Sequence, residues 1–312
     1  MSGKPLVIVF DAPTFDAPTI EGRRSTASTA LADYWALTKP EINFLIAIAT
    51  FAGFYLGRPS GPHGFPFLLL IHTLLGTLLV ASGTGTLNQY IERRFDAQMR
   101  RTARRPVAAG RMEPSSALWF GITLSVAGAG YLAATTNVLA SLLAVATLAS
   151  YLFVYTPLKR ITPLSTLVGA IPGAMPPLIG AAAASGRLSS EAWVLYFILF
   201  LWQFPHFMAI AWMYREDYDR AGYLVLPRGH SRDSFATWQT ILPLLLLVPD
   251  ALLPTVLGHS GLFYLLGACL LSASFLYCGM QFVLHKSGAT ARRLLVASIL
   301  YLPLLLALMM VT

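Results

Sequence analysis

A chain of 312 residues with 56% hydrophobic and only 12% charged residues, at a mean hydropathy of +0.63, is too apolar to be a soluble domain. Its formal net charge of +8 could suggest nucleic acid, but the basic residues follow the loops between apolar runs, so no nucleic-acid partner is expected. What remains is a membrane protein whose charge is concentrated on one side.

Residues 1–34 are polar and Pro-bearing, with a short internal echo of Asp11-Ala-Pro-Thr in Asp16-Ala-Pro-Thr, and read as a flexible cytoplasmic tail. A cleaved signal peptide is not expected, because the opening lacks a basic start and the apolar stretch Leu6 to Phe10 is too short. Residues 35–312 read as a single transmembrane domain. Trp35 to Glu41 forms an interfacial lead-in, with Trp35 at headgroup depth.

From there the apolar runs predict an all-α polytopic bundle of about nine transmembrane helices, centred near Ile46, Leu75, Val126, Val145, Gly173, Leu199, Leu246, Leu270 and Leu302. With the N-terminus on side one, 20 of the 22 Lys and Arg residues fall on that side, and only Arg58 and Arg187 lie opposite. That bias makes side one cytoplasmic and faces the expected cavity towards the cytoplasm. The lack of an organelle-type presequence points to a bacterial inner membrane. Cys269 and Cys278 match no metal or redox spacing and read as buried membrane residues.

The second helix ends in Asn88, Glu92 and Asp96, followed by Met99-Arg-Arg101-Thr102 and Arg105-Pro106. Steps of four residues advance roughly 400° around a helix, so the three side chains stay within about 80° of one another. An oxygen-rich face beside clustered guanidinium groups suits a divalent cation carrying a polyphosphate. The competing reading is a polar helix end whose carboxylates pair with Arg93, Arg100 or Arg101. Against it, helix C-termini favour cations, so stacked carboxylates gain most from a bound metal.

A second charged loop follows the sixth helix, with Glu216, Asp217 and Asp219. Shorter basic loops follow helices four (Lys159-Arg160) and eight (Lys286, Arg292-Arg293). Two similar four-helix halves would bring both acidic loops to one mouth. Arg101, Arg105, Lys159 and Arg160 are either membrane anchors or, as a set, clamps for that polyphosphate. Tyr155 is an interfacial aromatic or a donor to it. His206 is an expensive intramembrane group, bonding a neighbouring helix or touching substrate, and Gln203 is its nearest polar neighbour in sequence. His72 reads as packing or an interhelical bond, ahead of a substrate contact. Asp250 has no assigned role.

Asn88 through Pro106 resembles the first signature of the UbiA superfamily of intramembrane prenyltransferases. Three further segments are similar to its heme-farnesylating branch: Tyr155-Thr-Pro-Leu-Lys159-Arg160-Ile-Thr-Pro163, Gly173-Ala-Met-Pro176-Pro177-Leu-Ile-Gly180 and Trp202-Gln203-Phe-Pro205-His206-Phe207. Glu92 stands where many members carry Asp, and Asp217 is the best-matched acid of the second loop, with Asp219 doubtful.

The resemblance implies transfer of farnesyl from farnesyl diphosphate to a vinyl group of heme B, with water addition, to give heme O and diphosphate. It implies Mg2+ held by Asn88, Glu92, Asp96 and Asp217, with Lys159 completing the catalytic set. Arg101, Arg105, Arg160, Tyr155, Trp202, Gln203 and His206 would contact the substrates. Heme is then substrate, not prosthetic group, and the product would pass to a heme A synthase or to cytochrome oxidase assembly. The competing expectations are a sister enzyme acting on a quinone precursor or chlorophyll-type acceptor, and a cation carrier. A carrier should place ionisable residues deep in facing helices, whereas this chain gathers nearly all its charge at one mouth.

Overall fold

The computed structural model describes residues 27–59, 64–229 and 231–311. Among them are nine helices long and apolar enough to cross a membrane, each containing one of the expected centres. They are span one (Pro40–Gly57), two (Phe67–Asp96), three (Pro114–Thr135), four (Val138–Leu158), five (Ser165–Ser185), six (Ser190–Met213), seven (Ser231–Val256), eight (Leu262–His285) and nine (Gly288–Val311). Outward-facing side chains such as Phe44, Ile71, Leu142, Leu266 and Leu300 are exposed and apolar, as a lipid-facing surface requires. The Phe67–Asp96 helix is 30 residues long, more than a bilayer needs, so its Asn88–Asp96 end is free to form the mouth.

Neighbouring spans pack in chain order, with span nine closing against spans six, eight and one. Spans one and five approach backbone to backbone. A Cβ at Gly53 would overlap the Pro177 carbonyl, one at Gly180 would overlap the Thr50 carbonyl, and Gly57 faces Ala181. Lipid tails are as apolar as the helices, so such small-residue contacts, through dispersion rather than hydrophobic driving force, hold the spans together.

Two departures from regular helix shape the interior. Span five is broken between Gly173 and Pro176, because Pro176 and Pro177 lack the N–H groups that would continue the upstream hydrogen bonds. Span four widens into a π turn over Ser150–Tyr155, where Thr156 Oγ1 donates to the Tyr151 carbonyl at 2.9 Å. Such widenings recur at functional sites because they re-aim side chains.

Of the segment read as a tail, residues 1–26 lie outside the described residues. Its last part is corrected: Ala27–Leu37 is a helix. Asp33 takes a salt bridge from Arg111 at 2.8 Å, Tyr34 packs edge-on against Phe120, and Gln89 Nε2 donates to the Leu37 carbonyl at 3.1 Å. The polar composition concealed this helix, since its stability comes from tertiary anchors rather than from its own apolar pattern. Trp35 is exposed, as an interfacial aromatic would be.

Candidate active site

Asn88, Glu92 and Asp96 are all buried, so the expected shared face turns into the bundle. Asn88 Nδ2 donates to Glu92 Oε2 at 2.9 Å. Glu92 pairs with the Lys159 ammonium at 2.9 Å, and Asp96 with Arg105 at 2.7 Å. Asp96 Oδ1 is buried without a hydrogen-bond partner. The π turn in span four explains the reach of Lys159: it carries Tyr151, Tyr155 and Lys159 round to this face, with the ammonium 4.6 Å from the Tyr155 ring centre. Burial opposes that charge, but the Glu92 carboxylate more than offsets it and holds the ammonium well above its ordinary value.

The two charged loops do meet. Met99, Ala221 and Tyr223 form a small apolar cluster with Phe95 and Tyr218 against it. Arg101 donates to the Tyr218 hydroxyl at 3.1 Å, and Leu224 N–H donates to the Lys159 carbonyl at 2.7 Å. Asp217 is buried and paired with Arg220 at 3.1 Å, whereas Asp219 pairs with Arg232 at 2.9 Å on the outside. Among the described residues no group of three or more His, Cys, Asp or Glu closes around one point. The structure thus gathers Asn88, Glu92, Asp96, Lys159 and Arg105 directly, and Asp217 only across the loop contact.

The oxygens nonetheless suit a hard cation. Magnesium keeps several waters and needs one or two carboxylates plus substrate phosphates, not an all-protein cage. The amide oxygen of Asn88, the Glu92 carboxylate and the unpartnered Asp96 Oδ1 are such a donor set.

The other expected contacts divide. Arg160 is exposed and stacks on Phe95 at 4.4 Å. Trp202 Nε1 donates to the Ser298 carbonyl at 2.8 Å, and Gln203 Nε2 donates to the Ala170 and Leu199 carbonyls at 3.2 and 2.9 Å. These donors tie span six to spans nine and five, so their polar groups serve the fold. Gln203 also packs where a Cβ at Gly173 would stand, which accounts for the glycine before the break. His206 stacks on Trp202 at 4.7 Å and its Nδ1 meets Ser298 Oγ at 2.8 Å. His72 bonds the Tyr131 hydroxyl at 2.6 Å, the expected interhelical role. Asp250 is buried in span seven with Oδ2 unpartnered.

Two residues were not anticipated. Tyr223 is buried with its hydroxyl facing Glu92 without completing a hydrogen bond; burial first, then that carboxylate, pushes the phenol up. Lys39 reaches in from the start of span one, where Nζ donates to Asn88 Oδ1 at 3.1 Å. Burial first and the Arg105 guanidinium second bring its ammonium down to about 7. A sequence signal for it exists: a cation at a helix N-terminus opposes the dipole, so its presence there asks for another reason.

Residues 45–305 match the model of the UbiA prenyltransferase family. The chain is 49% identical over 284 residues to the protoheme IX farnesyltransferase of Solibacter usitatus, covering 89% of this chain and 97% of that one. It is 46% identical over 279 residues to the protein of the same name in Salinibacter ruber, covering 89% and 98%. Among solved structures, a digeranylgeranylglyceryl phosphate synthase superposes with a TM-score of 0.71 at 18% identity, covering 90% of this chain and 97% of that one. A UbiA homologue from Archaeoglobus fulgidus bound to DMAPP and Mg2+ superposes at 0.60 and 15% identity, covering 90% and 100%. With the nine-span fold, the buried Asn88-Glu92-Asp96 face and these relatives together, the chain belongs to the UbiA prenyltransferase family, on the branch whose members are named protoheme IX farnesyltransferase.

Proposed function

We propose that this chain transfers the farnesyl group of farnesyl diphosphate to a vinyl group of heme B, with addition of water, to give heme O and diphosphate. The relatives at 49% and 46% identity over nearly their whole length support that substrate pair. The observation that carries the chemistry is the Glu92–Lys159 and Asp96–Arg105 pairing at one end of the bundle. Carboxylates and cations there stand ready to exchange partners with an incoming anion.

Asn88, Glu92 and Asp96, together with Asp217 of the opposing loop, are the residues that would hold magnesium. When bound, the ion neutralises charge on the diphosphate. Lys159 and Arg105 take phosphate oxygens by charge-assisted hydrogen bonds, and Arg101 adds a contact from the rim. Their positive charge favours heterolysis of the allylic C–O bond, whose electron pair leaves with diphosphate. The farnesyl cation adds to the heme vinyl group. Water captures the resulting cation and a proton is released, leaving a hydroxyethylfarnesyl substituent. The apolar bundle wall keeps water from the first cation.

His206 is our candidate heme contact: Ser298 takes Nδ1 and leaves Nε2 for the substrate. Replacing His206 with Ala should raise the apparent KM for heme more than that for farnesyl diphosphate in steady-state assays; the reverse order would move His206 out of the heme site. The positive-inside bias supports a cytoplasmic N-terminus and mouth in a bacterial inner membrane. The apolar product would then pass within the bilayer to a heme A synthase or to cytochrome oxidase assembly.

Purified protein incubated with heme B, farnesyl diphosphate and magnesium should yield a porphyrin heavier by one farnesyl group and one hydroxyl, and omission of any component should abolish it. Farnesylation of a quinone precursor in place of heme would overturn the assignment.

A further inference from the structure

Lys39 stands at the start of span one in an unusual backbone conformation. Its backbone lies in the left-handed region, φ 54° and ψ 63°, although it has a full side chain and is followed by Pro40. Non-glycine residues adopt that region rarely, and strain of this kind persists where surrounding structure enforces it. The enforcing structure is plain. Gln89 Nε2 and Thr86 Oγ1 both donate to the Leu37 carbonyl, at 3.1 and 3.4 Å, and the Asp33–Arg111 pair pins the helix before it. The left-handed turn then sends the Lys39 side chain inwards past Gly85.

Its destination is the candidate site. The ammonium donates to Asn88 Oδ1 at 3.1 Å, one helical turn from Glu92. Lys159 answers Glu92 and Arg105 answers Asp96, but Lys39 donates to a neutral amide. Three cations therefore converge on two carboxylates. A partly buried ammonium whose hydrogen bond goes to an amide, while Glu92 and Asp96 are already engaged by other cations, is costly unless a further anion joins it. Lys39 enters from span one, Arg105 from the loop after span two and Lys159 from the end of span four, so the three approach from different elements.

We propose that Lys39 is a direct ligand of the substrate diphosphate, the third fixed cation of the site, positioned by the helix Ala27–Leu37. This rests on the prenyl diphosphate reading above and extends it to a residue outside the acidic and basic loops. The role is electrostatic as well as structural, since Asn88 could be satisfied by any neutral donor.

Inorganic diphosphate, with magnesium present, is the probe: its affinity is measured by calorimetry on the purified full chain in nanodiscs, with heme binding followed by absorbance as a check on the folded state. Lys39→Gly relieves the left-handed turn and deletes the charge. Lys39→Gln keeps a donor for Asn88 and deletes only the charge. Both should bind diphosphate roughly 10- to 100-fold more weakly while heme affinity holds, and Lys39→Arg should recover most of the loss. Wild-type affinity in either neutral variant that still binds heme overturns the inference, and if the glycine variant loses heme binding the glutamine variant decides. Failure of the wild-type protein itself to bind diphosphate would instead strike the prenyl diphosphate reading, and this inference with it.

Discussion

Glu92→Gln should lower turnover on the order of 10³-fold while the protein still inserts and folds. The substitution keeps shape, and a glutamine carbonyl can still accept from Asn88, so what is deleted is one negative charge. That charge does two things in this structure. It holds Lys159 at 2.9 Å, and it sits with Asn88 and Asp96 as an oxygen donor for the cation that neutralises the leaving group. Without it the Lys159 side chain, only 14% exposed, loses its counter-ion; breaking a buried pair from one side costs about 3–5 kcal/mol, and the opening at the mouth puts this pair at the low end.

The two consequences separate in a double-mutant cycle. Adding Lys159→Gln to Glu92→Gln should restore much of the stability, because no unpaired charge remains, yet leave turnover at the floor. Porphyrin product by mass analysis and thermal unfolding of each purified variant check this. Near-wild-type turnover in folded Glu92→Gln protein would remove Glu92 from the chemistry.

The expected architecture matches the structure because the physics that dictates it is one-dimensional. A span must be about 20 apolar residues long whatever it packs against, so all nine expected centres fall inside observed helices. The Asn88–Glu92–Asp96 face was legible for the same reason: a four-residue repeat on a helix fixes direction before any tertiary contact forms. What escaped is what depends on the third dimension. Nothing in the local pattern around Lys39 says that a left-handed turn carries it to Asn88, some fifty positions along the chain, and Tyr223 reaches Glu92 only because the loops fold together. Trp202 and Gln203 illustrate the same limit from the other side. Motif resemblance suggested substrate contact, but their donors are spent on Ser298, Ala170 and Leu199 carbonyls, a use that only neighbouring helices disclose. The Ala27–Leu37 helix is hidden for the same reason, since Arg111 and Gln89, which anchor it, lie far along the chain.

Gly53→Val should destabilise the bundle by about 3 kcal/mol or more, the largest effect expected of any change remote from the mouth. The ideal Cβ at this position falls on the Pro177 carbonyl group and its Cα, which are backbone atoms and cannot rotate aside. Relief requires spans one and five to separate, yet Gly57 against Ala181 and Gly180 against Thr50 hold the same seam closed on both sides. Pro177 lies in the first turn of the second half of the broken span five, so separation would also shift that half against span six. Span one carries Lys39 at its other end, and activity should fall with stability rather than independently of it. Gly130→Ala is the matched control: nothing lies within 4 Å of its Cβ position, so its stability should stay within about 0.5 kcal/mol of wild type. Unfolding in mixed micelles, followed by tryptophan fluorescence, measures both. Equal stability of the Gly53 and Gly130 variants would show that the seam between spans one and five does not hold the bundle as these contacts require.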